Sequence, residues 1–246
     1  MVVRTGQTRY PQTNYKTSNY CIAYLDILGA TNMIENDINF DFLNHLNMFM
    51  EDAISESGNG FFKGKEKMYI KIFSDNILIA LELDKNDPER DFKISALFNT
   101  VANIYNEVLR YGYLMRGAIV EGEFFQNDVI VYGKALLDAV KLEEEVAKNP
   151  RILVRTEVSE DYKKHYLMQD EDNESFLNIF HLCEWCDDVT FKINLLEMLE
   201  THKNDEAIKK KIMWMIHYFN SWFVNYEYRH LNNQKITKEE IEKALL

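Results

Sequence analysis

Residues 20–25 form a nearly unbroken apolar run that ends on Asp26 and is broken by Gly29. A short run of this kind, apolar on successive positions, reads as a strand buried on both faces, so the chain must be built around a sheet. A helix is expected from about Thr31, because Ile34, Ile38, Phe42, Leu46, Phe49 and Ala53 recur at helical spacing. After a Gly-, Ser- and Lys-bearing loop at 55–65 come two more strand-like runs, 68–73 and 77–83. They flank Ser74-Asp75-Asn76, which suits a hairpin connection.

A second amphipathic helix follows, marked by Ile94, Leu97, Phe98, Val101, Tyr105, Val108 and Leu109. Strand-like segments at 113–120 and 129–132 lead into a helix at about 134–148, which Asn149-Pro150 stops. Residues 151–154 supply another short strand. The order β-α-β-β-α-β with a further strand and helix predicts an α+β fold, a ferredoxin-like split β-α-β palm with helices on one face of its sheet. Residues 1–18 read as a polar lead-in, 19–165 as the palm, and 166–246 as a mostly helical C-terminal extension. Charge-rich 160–174 reads as a surface connection, and 176–185 as a strand or a buried segment. Helices are expected at 191–201 and 207–228, and a last one opens at Thr237 with Glu240 three residues on, a capping-box start. The stripe Trp214, Phe219, Trp222, Phe223 and Tyr226 reads as core packing.

The formal net charge of -12 argues against a nucleic-acid partner, for which a basic stripe is expected. It leaves triphosphate binding open, since metal ions can supply positive charge that the protein lacks. No apolar run approaches the ~20 residues of a membrane helix, and residues 1–18 lack the apolar core of an export signal. With three cysteines and no such signal, a cytoplasmic location is expected. Cys183 and Cys186 have half the spacing of a zinc site but no second pair, and read as buried thiols beside Trp185.

Asp26 and Asp75 each stand where an apolar strand gives way to a turn. Either alone is an ordinary turn former. In a split β-α-β motif, however, the first strand lies beside the hairpin, so both carboxylates converge at one end of the sheet. Two such anions repel unless a cation sits between them. Strand alternation puts Tyr69, Lys71 and Phe73 on one face of their strand, where Lys71 looks into an open groove if the other face packs on helices, and otherwise reads as a solvent-facing lysine. Arg116 reads equally as a site residue or a surface arginine, and Glu143-Glu144-Glu145 reads as a solvated helix face. No Ser/His/Asp arrangement or Walker loop is present.

Four blocks, in order, carry a family resemblance across about residues 19–155. Tyr24-Leu25-Asp26-Ile27-Leu28-Gly29-Ala30-Thr31 resembles the Phe-x-Asp-Ile-x-Gly-Phe-Thr opening of class III nucleotidyl cyclases. Lys71-Ile72-Phe73-Ser74-Asp75 is similar to their metal-binding hairpin. Leu114-Met115-Arg116-Gly117-Ala118-Ile119-Val120-Glu121-Gly122 resembles their Arg-Ile-Gly-Ile-His-x-Gly strand. Tyr132-Gly133, Ala139 and Leu142-Glu143 follow their Gly-x-x-Val-Asn-x-Ala-x-Arg-Leu-Glu helix.

The resemblance implies that Asp26, Asp75 and the main-chain carbonyl of Ile27 hold two Mg²⁺ or Mn²⁺ ions. It implies that Leu28, Gly29, Ala30 and Thr31 receive the β- and γ-phosphates, and that Lys71 reads the base. The usual ribose-orienting asparagine and transition-state arginine fall on Leu137 and Lys141. Lys141 keeps the charge but not the guanidinium fork, so Arg116 and Arg151 are candidates to compensate. The expected activity is conversion of a nucleoside triphosphate to a 3′,5′-cyclic nucleotide and pyrophosphate by a homodimer that serves a cyclic-nucleotide effector. The alternative is a weak or inactive cyclase-like sensor that binds nucleotide or metal, or an interaction dimer.

Overall fold

The structure is a computed structural model that describes residues 15–56, 68–84, 86–182, 188–225 and 234–246. The expected lead-in at 1–14, the loop around 57–67, the Cys183/Cys186 pair with Trp185, and Tyr226 lie outside the described residues.

The first apolar run forms β1 (Ser18–Ile27), the centre of the sheet. The hairpin strands are β2 (Tyr69–Phe73) and β3 (Asn76–Glu82), and the next long strand is β4 (Met115–Gln126). Their spatial order is β2-β3-β1-β4, each pair antiparallel, which is the split β-α-β palm expected from the sequence. The sheet continues beyond β4 through β6 (Ile152–Val154, parallel to β4), β8 (Ser175–Leu177) and β7 (Leu167–Gln169). The short β5 (Val131–Tyr132) pairs with the end of β4.

Alternation along β1 divides the core in two. Cys21, Ala23, Leu25 and Ile27 face a large cluster with the helices α2 (Asp41–Glu56) and α3 (Arg90–Arg110). Burial pushes the Cys21 thiol up to about 12, so it is an inert core group there. Tyr20 and Ile22 face the other way, with Leu78, Ala80, Val120 and Phe124, and are covered by Ala135 and Ala139 of α4 (Lys134–Glu145). Helices on one face only were expected. The small side chains of α4 instead let it lie close on the second face.

Two other expectations need correction. The first helix is two, α1 (Ala30–Glu35) and α2. Asp37 accepts hydrogen bonds from the amides of Phe42 (3.0 Å) and Leu43 (3.1 Å), and Phe40 has a φ of 59°, so the chain turns and restarts. Second, the charged stretch 160–174 holds α5 (Glu160–Tyr166), β7 and the turn into β8. The segment 176–185, expected as a strand or a buried segment, is both over its described part: Phe176 and Leu177 belong to β8, and Asn178, Ile179 and Phe180 are buried.

The extension contains α6 (Asp188–Thr201), α7 (Glu206–Asn225) and α8 (Lys238–Leu245), the last with the expected capping box at Thr237 and Glu240. Ile212, Met215, Phe219, Trp222 and Phe223 belong to the same apolar cluster as β1 and α3, so palm and extension share one core. No helix among the described residues is long and apolar enough to cross a membrane.

Gly133 sets the entry of α4. Its φ is 149°, and a Cβ there would stand 2.4 Å from the Glu123 carbonyl oxygen and 2.6 Å from the Phe124 Cα. Gly133→Ala should therefore lower unfolding free energy in urea by about 2 kcal/mol, the scale of overpacking against backbone that cannot yield. An unchanged urea midpoint would show that the entry tolerates a side chain.

Candidate functional site

The site forms at the end of β1, where the central strand is held on both sides. Asp26 lies opposite Asn76 of β3 and opposite Arg116 of β4 in the pairing register. The amide of Ile27 donates to the carbonyl of Asp75 (3.3 Å), which pins the β2–β3 turn against the end of β1. The Nδ2 of Asn76 donates to Asp75 Oδ1 (3.0 Å), and the hydroxyl of Tyr24 donates to Asn76 Oδ1 (2.5 Å). Tyr24 and Asp26 share the sheet face covered by α4. The two aspartates thus meet at one end of the sheet, as the strand order requires.

Charge at this end is only partly balanced. Arg116 Nε donates to Asp26 Oδ2 (3.2 Å) and lies 2.5 Å from Glu143 Oε1 of α4. The latter oxygen is buried and makes no hydrogen bond of good geometry, so that contact is one of charge. Burial raises the Asp26 carboxyl above its ordinary value, Arg116 opposes the rise, and Asp75 adds to it. Burial pushes Glu143 up to about 7, with Arg116 opposing and Asp26 and Glu144 reinforcing. Tyr24 is pushed up to about 12 by burial and by Glu143, Asp26 and Asp75. A second cation, Lys211 of α7, also faces this cluster. Burial and Arg116 lower its ammonium, while Asp26, Asp205 and Glu143 hold it up.

Glu143 is 3% exposed, against the expectation of a solvated Glu143-Glu144-Glu145 face. Glu144 and Glu145 are exposed as expected. The signal for Glu143 was its place four and eight residues after Ala139 and Ala135, on the stripe that meets the sheet. Nothing local marks Lys211, which only the packing of α7 brings here.

The other expected residues divide. Gly29 adopts the left-handed conformation (φ 81°) between β1 and α1, with Ala30 buried and Thr31 exposed. The Leu28 amide already donates to the Leu114 carbonyl (2.8 Å), so it is not available to a phosphate in this arrangement. Lys71 does lie on the face with Tyr69 and Phe73, but its ammonium donates to the carbonyl of Asn127. The groove beside it, between Tyr69, Leu78, Ala80, Phe124, Gln126 and Val131, is filled by these side chains and holds no space for a water-sized guest. Leu137 is 62% exposed and Lys141 is also exposed, both on the outward face of α4. Arg151 is not at this site. It is buried, and its guanidinium pairs with Asp170 and Asp172 on the β7–β8 turn, beside an open pocket of about 620 Å³ lined in part by α7.

Among the described residues no group of three or more His, Cys, Asp or Glu side chains is arranged as a metal cage. The groups that would hold a metal ion at the end of β1 are the carboxylates of Asp26 and Asp75 and the main-chain carbonyl of Ile27. That oxygen-only set fits Mg²⁺ or Mn²⁺, which are commonly bound by one or two carboxylates together with substrate phosphates.

No protein-family model matches the chain, and no curated protein does. Among solved structures it is similar to the monomeric guanylyl cyclase domain of the RhoGC fusion protein from the aquatic fungus Blastocladiella emersonii. That likeness has 14% identity and a TM-score of 0.47, and covers 66% of this chain and 96% of that one. It is similar as well to the guanylate cyclase domain of RhGC from Catenaria anguillulae in complex with GTP, at 14% identity and a TM-score of 0.43, over 66% and 94% of the two chains. The functional reading rests on the strand order and on the groups at the end of β1.

Glu143 makes stability depend on pH. Its folded-state value of about 7 lies above the ordinary 4.5, so the native state keeps a proton that the unfolded state has lost. The stability of the neutral form is fully present below the ordinary value and is lost as pH rises toward 7, by roughly 1–3 kcal/mol. Glu143→Gln should flatten that part of the melting-temperature profile. An equally steep profile in the variant would place the titrating group elsewhere.

Proposed function

We propose that the chain is a cyclase-like enzyme that binds a nucleoside triphosphate through divalent cations at Asp26 and Asp75 and converts it to a 3′,5′-cyclic nucleotide and pyrophosphate. The observation that carries this reading is the meeting of the two carboxylates at one end of the palm, on a central strand held from both sides. Asp26, Asp75 and the Ile27 carbonyl would hold Mg²⁺ or Mn²⁺. Such ions favour ionisation of the 3′-hydroxyl and neutralise the triphosphate.

In the reaction, the 3′-oxygen forms a bond to the α-phosphorus while the bond from that phosphorus to the bridging oxygen breaks. Pyrophosphate leaves, and the hydroxyl proton passes to solvent. In this reading Arg116 supplies fixed positive charge beside the metal ligands, and the Gly29 turn lets the backbone of Ala30 and Thr31 approach the β- and γ-phosphates. Lys141 is exposed on α4, and in this reading it would act on the site of a second subunit, the enzyme working as a homodimer. The product would signal to a separate cyclic-nucleotide effector. Lys71 must leave the Asn127 carbonyl before it can read a base.

A second reading has its own support. Leu137 stands exposed where the ribose-orienting asparagine is expected, and Arg116 is held by two carboxylates. A sensor that binds Mg²⁺ and triphosphate without turnover fits both facts.

Incubation of the protein with each nucleoside triphosphate and Mn²⁺ tests the first reading. A cyclic product is expected from at least one base, and Asp26→Asn or Asp75→Asn should cut its rate by about 100-fold or more, the scale of losing a preorganised electrostatic group. Metal-dependent heat of triphosphate binding with no product would favour the sensor, and neither binding nor product would sink both.

A further inference from the structure

Arg116 and a divalent cation compete for the same carboxylate. The guanidinium now bridges Asp26 (3.2 Å) and Glu143 (2.5 Å), and its side chain is largely removed from solvent. If Asp26 turned to a metal ion and Arg116 had no other anion, a half-buried guanidinium would lose its only partner, which is strongly unfavourable. Glu143 removes that obstacle. It is buried on α4, it already touches the same nitrogen, and the Gly133 entry and the Ala135 and Ala139 contacts fix its position over β4.

We propose that Glu143 is a positioning residue that retains Arg116 when Asp26 is given up to a metal ion, and so sets the affinity of the site for the ion. The inference rests on the metal-site reading given under Proposed function. Without a bound ion, Arg116 offsets part of the charge of Asp26, against which Asp75 still acts. As the ion enters, Arg116 shifts its charge contact from Asp26 to Glu143, and no buried charge is left alone. Asp75 and Lys211 face the same cluster. Lys211 adds positive charge that disfavours the incoming ion, which makes a retained, displaced Arg116 the more necessary.

Without Glu143, Arg116 has Asp26 as its one remaining anion at this contact and should compete with the ion more strongly. Glu143→Gln is therefore expected to weaken Mn²⁺ binding by about tenfold or more, in the range of losing a residue that orients a metal ligand. The double variant Arg116→Gln/Glu143→Gln has no guanidinium to compete and should bind Mn²⁺ at least as tightly as the unsubstituted chain.

Free Mn²⁺ is counted by its electron paramagnetic resonance signal at mildly alkaline pH, with melting temperatures recorded for each variant. Glu143→Asp, which keeps the charge, serves if Glu143→Gln does not fold, and should retain most of the affinity. Weak binding in Glu143→Gln that the double variant restores supports the proposal. Equal affinity in Glu143→Gln and the unsubstituted chain overturns it and leaves the metal site standing. A double variant as weak as the single one also overturns it, since Glu143 would then act only as a prop for the fold. Mn²⁺ binding that Asp26→Asn leaves unchanged overturns the metal-site reading, and this inference with it.

Discussion

The pairing of β1 on both edges is the constraint from which the rest of the site follows. An antiparallel strand at the centre of a sheet has no freedom of register once its neighbours are in place. Asp26 is therefore held between Asn76 and Arg116, and the Asp75 turn is tied to it through the Ile27 amide. A slip of one residue would move Asp26 to the opposite face, among α2 and α3, where a carboxylate would have no partner. Apolar packing on both faces, by α2 and α3 on one and by α4 on the other, fixes where a pair of like charges must stand.

That placement has an electrostatic consequence. Two aspartates and a buried glutamate face one arginine and one lysine, and the carboxyls of Asp26 and Glu143 are both raised. Functional sites are where uncompensated charge of this kind collects. The extension is part of this balance, because α7 brings Lys211 to the cluster while its apolar side joins the palm core. Arg151 serves a different end: buried with Asp170 and Asp172, it ties the β7–β8 turn to the start of β6.

The palm was legible because its signals are local and repeated. The strand runs, the Ser74-Asp75-Asn76 turn and the Asn149-Pro150 stop each agree with the same topology. Where the reading failed, tertiary structure outweighed the pattern. Ile34, Ile38 and Phe42 keep helical spacing across a break, yet Ile38 is 88% exposed and Asp37 restarts the helix. The charges of 160–174 hid a short helix and a three-residue edge strand, elements too brief to show a period. Glu143 was obscured by its two solvated neighbours. Lys211 had no sequence signal, because its role comes from where α7 packs.

The central claim is that Asp26 and Asp75 share a divalent cation. Anomalous diffraction from crystals grown with Mn²⁺ and a non-hydrolysable triphosphate addresses it most directly. The account predicts an anomalous peak between the two carboxylates, with the Ile27 carbonyl among its ligands and Arg116 turned to Glu143. Crystals with the triphosphate bound, no peak at this end of β1 and Arg116 still on Asp26 would contradict it.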